Sequence, residues 1–378
     1  MASPRSSSSS PGLTAGQPGP DGTSRGLISG ALFKVARESA DLTQQDLAGA
    51  LGVDKTTIQA WEAGRRPLTS ARAGTLVAHR FALIDLGADP RLVESLDTAA
   101  EADFLLDRLI DDDGGRHPFA SRVLPQPLSD LLAWPLNPNP PRVVASASRP
   151  ARRGPVTSGP MLTAADRRRL LANLRAAAEH PSAPTDRISQ VRRQVAYLAS
   201  FDRAPATARW LADLRTTVAR SGAGSRFSPG WAEARSIAVA LGRQGNPDAL
   251  ARFIQLGQSD DTWETANLNY WAYWAGESRR IERDDTFMAA DLGRWRGLTL
   301  LDHLTARISR TADDLALNVH TVWALIVARR GILEDDQVLA RSLAERVAEL
   351  LDTAGLAASV RSEAESILSA LTMAGVRT

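Results

Sequence analysis

The sequence predicts an all-α protein, and three observations support this prediction. Apolar residues recur at helical spacing between residues 27 and about 110, and again from residue 162 to the end of the chain. No convincing strand pattern is present after residue 163. Between the two periodic regions, residues 111 to 160 contain ten prolines, which rules out a continuous helix there.

These patterns divide the chain into four segments. The first residues are Ser, Pro and Gly with almost no bulky apolar side chain, so they cannot offset the entropy of ordering and are predicted to be disordered. The predicted segments are a disordered tail at 1–25, a helical domain at 26–110, a Pro/Arg-rich connector at 111–160 and an all-α domain at 161–378.

The last segment carries many signals for the starts of helices. Ser228-Pro229 and Asn246-Pro247 each place a capping residue before a proline at the first helical position. We expect roughly nine to eleven helices, arranged as an α-helical bundle or as an irregular helical array. No fixed repeat supports a solenoid. A domain of this size offers surface for dimerisation or for sensing an effector.

Composition excludes several classes of protein. The chain has no cysteine, which excludes disulfides and thiolate metal sites, and its five histidines are scattered, so we expect no metal and no cofactor. No apolar run approaches the roughly 20 residues of a membrane helix, which favours a cytoplasmic, nucleoid-associated protein. Only Lys34 and Lys55 among the 45 basic residues are lysine, a bias that suggests a GC-rich, actinobacterial genome.

The stretch LTQQDLAGALGVDKTTIQAWEAGRRP, residues 42 to 67, predicts two short helices joined by a tight turn. Thr43 and Asp54 are good N-cap residues, one for each helix. Gly52 allows the positive backbone angle that the turn requires. The side chains predicted to form the core are Leu47, Ala48, Leu51, Val53, Ile58 and Trp61. A second short helix that crosses the first steeply is suited to enter the major groove of DNA.

This stretch resembles the Xre-type, lambda-repressor-like family of helix-turn-helix transcriptional regulators. The family pattern is LTQ-x-x-LA-x-x-LGV followed by I-x-x-WE-x-G, and the resemblance covers roughly residues 27 to 90. The matching residues are Leu42, Thr43, Gln44, Leu47, Ala48, Leu51, Gly52, Val53, Ile58, Trp61, Glu62 and Gly64. The helical second half is loosely similar to actinobacterial, multi-domain members. The resemblance implies an N-terminal lambda-repressor-like helix-turn-helix domain and double-stranded DNA as a partner.

The predicted contacts with DNA follow from position on the second helix, and the resemblance sharpens them. The residues predicted to read bases are Lys55, Thr56, Gln59 and Ala60, since they lie on its outward side. Lysine can donate to guanine and glutamine can pair with adenine, whereas alanine offers only methyl contact with thymine. The residues predicted to contact phosphates are Gln44, Arg65 and Arg66. Arg37 and Glu62 are expected to pair inside the domain, as the matching residues of the family do.

The local charge of the predicted DNA-binding region is small. Residues 26 to 80 contain seven basic and five acidic side chains, and the whole chain has a formal net charge of only +2. The connector could supply a basic arm through Arg149, Arg152 and Arg153, because such arms often reach phosphates or a narrow minor groove. A solubilising linker is an equally good interpretation of these arginines.

The segment WETANLNYWAYW, residues 263 to 274, places several aromatic side chains on one helix face. The residues of this stripe are Trp263, Asn267, Tyr270, Trp271 and Trp274. Aromatic stripes at helical spacing usually pack in a core, and we favour that interpretation. The alternative is a small-molecule pocket with aromatic walls and Asn267 as its polar anchor.

These patterns leave three functional hypotheses. The favoured one is a sequence-specific DNA-binding transcriptional regulator that acts as a homodimer on an inverted repeat and responds to a small-molecule or protein effector at its helical domain. The alternative is a helical protein-interaction scaffold whose helix-turn-helix binds DNA weakly or not at all. The third is a helical enzyme with a DNA-targeting module. No phosphate loop, nucleophile elbow or His-Glu metal helix is found, so we expect no enzyme.

Overall fold

All regular structure in the described part of the computed structural model is helical, which confirms the all-α prediction. The described residues are 26–111, 116–147, 159–179, 187–220, 228, 230–257, 260–278, 280–293, 295–309 and 312–376. The tail at 1–25 that the sequence predicts to be disordered lies outside them. In the described part of the chain, no helix is both long and apolar enough to cross a lipid bilayer.

Nineteen α-helices are present in the described residues. They are α1 Leu27–Ser39, α2 Gln44–Leu51, α3 Lys55–Glu62, α4 Ala73–Asp85, α5 Pro90–Glu94, α6 Leu96–Asp111, α7 Gln126–Ala133, α8 Arg142–Ala145, α9 Ala164–Glu179, α10 Ile188–Ala199, α11 Pro205–Arg220, α12 Trp231–Arg243, α13 Pro247–Gly257, α14 Asp261–Ala275, α15 Leu298–Thr305, α16 Leu315–Ala328, α17 Ile332–Asp335, α18 Gln337–Leu351 and α19 Ala358–Met373.

Helix α6 is attached to α1 by a buried carboxylate. Asp103 of α6 accepts hydrogen bonds from the backbone N–H groups of Ile28, at 2.7 Å, and Ser29, at 2.9 Å. These two donors lie in the first turn of α1, where no intrahelical acceptor exists and where Gly26 provides no side-chain cap. Burial raises the pKa of Asp103 to about 6, although its hydrogen bonds act in the opposite direction. Asp103 therefore serves as a remote cap for α1.

The proline-rich segment is folded over residues 116–147. Its prolines divide it into short helical turns, and apolar side chains between them, such as Phe119 and Leu128, belong to the same core as α1 to α6, α9 and α10. Two buried glutamines of α10 bond the backbone of this segment: Gln190 and Gln194 donate to the Phe119 carbonyl at 2.8 and 3.0 Å. The segment therefore packs as part of a folded core.

The same segment also contacts the helices that follow. The Val123 N–H donates to the Glu282 carbonyl at 2.9 Å, and the Tyr273 hydroxyl donates to the Val123 carbonyl at 2.8 Å. Two further cores, one spanning α12 to α19 and one spanning α10 to α13, each contain buried residues of α12. Helix α12 therefore lies at the centre of the C-terminal half.

Candidate functional site

The turn between α2 and α3 has the geometry that its sequence predicts. The Thr43 hydroxyl accepts from the Asp46 N–H, and the Asp46 carboxylate accepts from the Thr43 N–H, which forms a capping box. Gly52 ends α2 with φ +64°. The Asp54 carboxylate then accepts from the Thr56 N–H at 2.7 Å and caps α3. The two predicted caps and the predicted positive backbone angle are confirmed.

Helix α3 is held against α1 by a close approach of backbones. A Cβ atom on Gly30 would lie 2.1 Å from the carbonyl oxygen of Trp61, so α1 must have glycine at this position. The Trp61 ring is 3% exposed and meets the Phe33 ring edge-on, with centroids 5.8 Å apart. Ile58 is also fully buried. This packing leaves little freedom for α3 to move relative to the rest of the domain.

A chain of hydrogen bonds runs from the interior of this domain to the exposed face of α3. Arg37 donates to Glu62 through Nε at 2.6 Å and through Nη2 at 3.2 Å, which confirms the expected pair. The Gln44 amide nitrogen donates to the second Glu62 oxygen at 2.7 Å. The Gln59 amide nitrogen in turn points to the Gln44 amide oxygen at 3.4 Å. The Gln59 side chain is therefore already oriented in the free protein.

This network changes what Gln44 can offer to a phosphate. One of its two amide hydrogens is used by Glu62, and its amide oxygen faces Gln59. The other amide hydrogen of Gln44 and the backbone N–H groups of the first two residues of α2 remain as donors, since the Asp46 N–H is already bonded to Thr43. The sequence alone did not indicate the hydrogen bond from Gln44 to Glu62. It joins α2 to α3, and the relative position of these helices depends on how α3 packs on α1.

The other α3 residues predicted to contact DNA differ in exposure and in the hydrogen bonds that they already make. Lys55 is exposed, and Ala60 is half-buried. The Thr56 hydroxyl donates its hydrogen to the Asp54 carboxylate at 2.6 Å. It can therefore accept a hydrogen bond from a base but cannot donate one. The same hydrogen bond is the main reason that the pKa of Asp54 lies below its usual value. Lys55 and Gln59 are therefore the residues of this set that keep side-chain hydrogen-bond donors available.

Two arginines follow α3 on the exposed surface. Arg65 is exposed, and Arg66 is exposed with its Nε donating to the Ser70 hydroxyl at 3.1 Å. Both lie one turn beyond the end of α3, where a phosphate backbone would pass if α3 entered a groove. Arg149, Arg152 and Arg153, the predicted basic arm, lie outside the described residues.

The aromatic stripe of α14 contributes to two different environments. Trp263 is fully buried, with its ring 5.7 Å from that of Trp231. Tyr270, Trp271 and Trp274 instead line a small cavity between α7, α10, α12 and α14.

Asn267, the predicted polar anchor, is fully buried on the same helix. It donates to the Thr321 hydroxyl at 3.1 Å, and its amide oxygen faces the Arg235 Nε at 3.4 Å. Among the residues that the structure describes, no group of three or more His, Asp or Glu side chains could hold a metal ion.

Comparison with known protein families gives one match. Residues 30–99 match the family model of a helix-turn-helix domain, and this range contains α2 to α5, most of α1 and the first four residues of α6. No curated protein and no solved structure matches the chain. The N-terminal region of this protein therefore contains a helix-turn-helix domain, of the class found in DNA-binding regulators.

Proposed function

We propose that the chain is a sequence-specific, double-stranded-DNA-binding transcriptional regulator of the Xre type, with α3 as its recognition helix. One observation carries this proposal: α3 presents Lys55 and a pre-oriented Gln59 on its exposed side while Trp61 and Ile58 fix its other side in the core. Base-reading side chains on a rigid helix are what direct readout in the major groove requires. We propose no catalytic activity for the chain.

The first prediction tests the assignment of the recognition face. Gln59→Ala or Lys55→Ala should weaken binding to the preferred site by about 1 to 3 kcal/mol and change base preference at one position. Arg66→Ala, the matched control, should weaken binding to all sequences alike, because a phosphate contact carries no sequence information. Titration of each variant against the preferred duplex and its single-base variants measures both effects. Unchanged discrimination by the Gln59 and Lys55 variants would overturn the assignment.

A scaffold that barely binds DNA is the second candidate, and the low local charge favours it. Only seven basic side chains against five acidic ones lie between residues 26 and 80. A regulator should still lose affinity with added salt, with a slope of about −0.9 for each phosphate contacted. Binding too weak to measure at physiological salt, on any duplex, would favour the scaffold instead.

We also propose that the active species is a homodimer. A single reading head buries roughly 600 to 1,000 Å² on DNA, which is usually too little to find one site in a genome. Helix α4 carries an apolar stripe at helical spacing that nothing in the described part of the chain covers: Val77, Phe81 and Ile84 are 49%, 66% and 40% exposed. This places the proposed interface on α4, instead of in the 161–378 domain where the sequence predicts dimerisation. A second copy of this helix would cover the stripe and would bring two recognition helices to one duplex.

The second prediction concerns this stripe. Phe81→Glu should reduce affinity for the two-half-site operator by about 10²-fold or more, because the second head would no longer bind intramolecularly. Val338→Glu, which alters an apolar residue equally exposed on α18, should leave binding unchanged. Sedimentation and footprinting measure the assembly and the length of DNA protected. A Phe81→Glu protein that remains dimeric and protects both half-sites would contradict the α4 interface.

A further inference from the structure

A small polar cavity lies inside the C-terminal half, beside α12. Its volume is about 40 Å³, enough for a carboxylate group or a few water molecules. Three arginines line it, Arg235, Arg243 and Arg307, against two carboxylates, Asp130 and Asp314. Arginines therefore outnumber carboxylates among the residues that line this cavity.

Arg235 is the unusual member of this group. It is 4% exposed, and its Nη2 atom has no hydrogen-bond partner among the described residues. Its guanidinium carbon lies 4.1 Å from the ring centroid of Tyr270 and 4.8 Å from that of Trp271. Burial lowers the pKa of Arg235 to about 10, so the side chain is still charged at neutral pH. Its Nε donates to the Asn267 amide oxygen at 3.4 Å, and Tyr270 and Asp314 also favour the charged form. No salt bridge joins a carboxylate to this guanidinium among the described residues, so an anion beside the unpaired Nη2 would stabilise a buried charge.

The two neighbouring carboxylates do not form an ion pair with Arg235. The Asp314 carboxylate accepts from Arg307 at 2.6 Å and from the Asn318 amide at 3.0 Å. The Asp130 carboxylate accepts from the Tyr197 hydroxyl at 2.8 Å, and burial raises its pKa. Both carboxylates of the cavity are therefore already engaged, and no ion pair joins either of them to Arg235 within the described residues.

A groove adjoins this cavity on the side of α7. It measures about 320 Å³ and shares two lining residues, Gln126 and Asp130, with the inner cavity. Apolar side chains such as Leu131 and Val143 line much of it, and Thr299 of α15 lines it from an exposed position. The groove thus lies between the segment that packs on the helix-turn-helix domain and the helices of the C-terminal half.

We propose that this cavity binds the carboxylate group of a small metabolite, with the guanidinium of Arg235 as its partner and the apolar groove holding the rest of the molecule. The planar fork of an arginine matches a carboxylate with two parallel hydrogen bonds. Aromatic walls and one charged anchor are typical of small-molecule sites. The inference goes beyond DNA binding: a ligand there contacts both α7, which packs on the helix-turn-helix side, and α12 and α14 of the C-terminal half.

Calorimetric titration of the full-length protein with hexanoate and with benzoate tests this assignment, and neither experiment needs DNA. Each carboxylate should bind saturably with a Kd of about 1 mM, whereas hexanamide and benzamide should not bind. Intrinsic tryptophan fluorescence should change in parallel, because Trp271 and Trp274 line the cavity. Arg235→Met keeps the side-chain length, removes the charge and should abolish binding.

A second variant tests the site independently if Arg235→Met does not fold. Thr299→Trp fills the groove from its exposed side and should weaken binding of both carboxylates at least tenfold, to a Kd above about 10 mM. Thr372→Trp, on an exposed position of α19, is the matched control and should bind like the parent.

Three results would overturn the proposal. They are amides that bind as well as carboxylates, inorganic phosphate that binds while the carboxylates do not, and carboxylate binding that survives in Arg235→Met. Because none of these measurements uses DNA, failure here leaves the DNA-binding proposal standing, and failure of DNA binding leaves this one standing.

Discussion

Trp263→Ala should lower the free energy of unfolding by about 3 to 5 kcal/mol, as other large-to-small core substitutions of aromatic residues do. The indole is fully buried and packs against three rings, those of Trp231, Phe253 and His320, with centroids 5.2 to 5.8 Å away. A Cβ on Gly257 would lie 2.1 Å from this indole, so α13 is shaped around it. Equilibrium urea unfolding, followed by circular dichroism, measures the loss.

Trp263→Phe is the matched control for this prediction. It keeps an aromatic ring in the same position and should cost well under half as much, since a smaller cavity remains. A Trp263→Ala protein that unfolds at the urea concentration of the parent would show that the residue does not pack in a core. That result would contradict the division of the α14 stripe into a core end and a cavity end.

Asp103→Ala should cost about 2 to 5 kcal/mol, the second largest effect that we expect. It leaves the buried N–H groups of Ile28 and Ser29 without an acceptor, and each such donor costs about 1 to 3 kcal/mol. Asp97→Ala, six residues earlier on α6, removes a carboxylate that pairs with Arg80 at the surface and should change stability by less than about 1 kcal/mol. Equal losses in the two variants would rule out the remote cap.

The pH dependence of stability checks the same carboxylate. The folded-state pKa of Asp103, about 6, lies above its ordinary value of 3.8. The folded protein therefore binds this proton more tightly than the unfolded chain, and protonation stabilises the fold. The parent protein should gain stability relative to Asp103→Asn as pH falls from about 6 to about 4, and lose that advantage as pH rises through 6. Urea unfolding of both proteins across this range measures the difference in free energy of unfolding, parent minus Asp103→Asn. If this difference decreases as pH falls from about 6 to about 4, the raised pKa is contradicted.

The helix-turn-helix could be predicted almost residue by residue, because its signals are local. Thr43, Gly52 and Asp54 act through their own backbone or that of residues two or three positions away. The Arg37–Glu62 pair joins two helices and was expected from the family resemblance, whereas the bond from Gln44 to Glu62 became visible only in the packed domain.

The C-terminal half was harder to predict, because its chemistry depends on contacts between distant helices. Arg235 stands in the sequence as one polar residue near the apolar run of α12, and nothing local places it between Tyr270 and Trp271. An arginine next to such a run was the available signal. The proline pattern likewise indicated where helices break in residues 116–147, but not that glutamines of α10 would bond the broken segment.

Selection from a pool of random duplexes by the full-length protein, at about 150 mM salt, tests the central claim most directly. We expect an inverted repeat to be enriched, with half-site centres about 10 base pairs apart or a multiple of that, so that both α3 helices meet the same face of the duplex. A pool that shows no enriched sequence after selection, with protein that is folded and soluble, would contradict it.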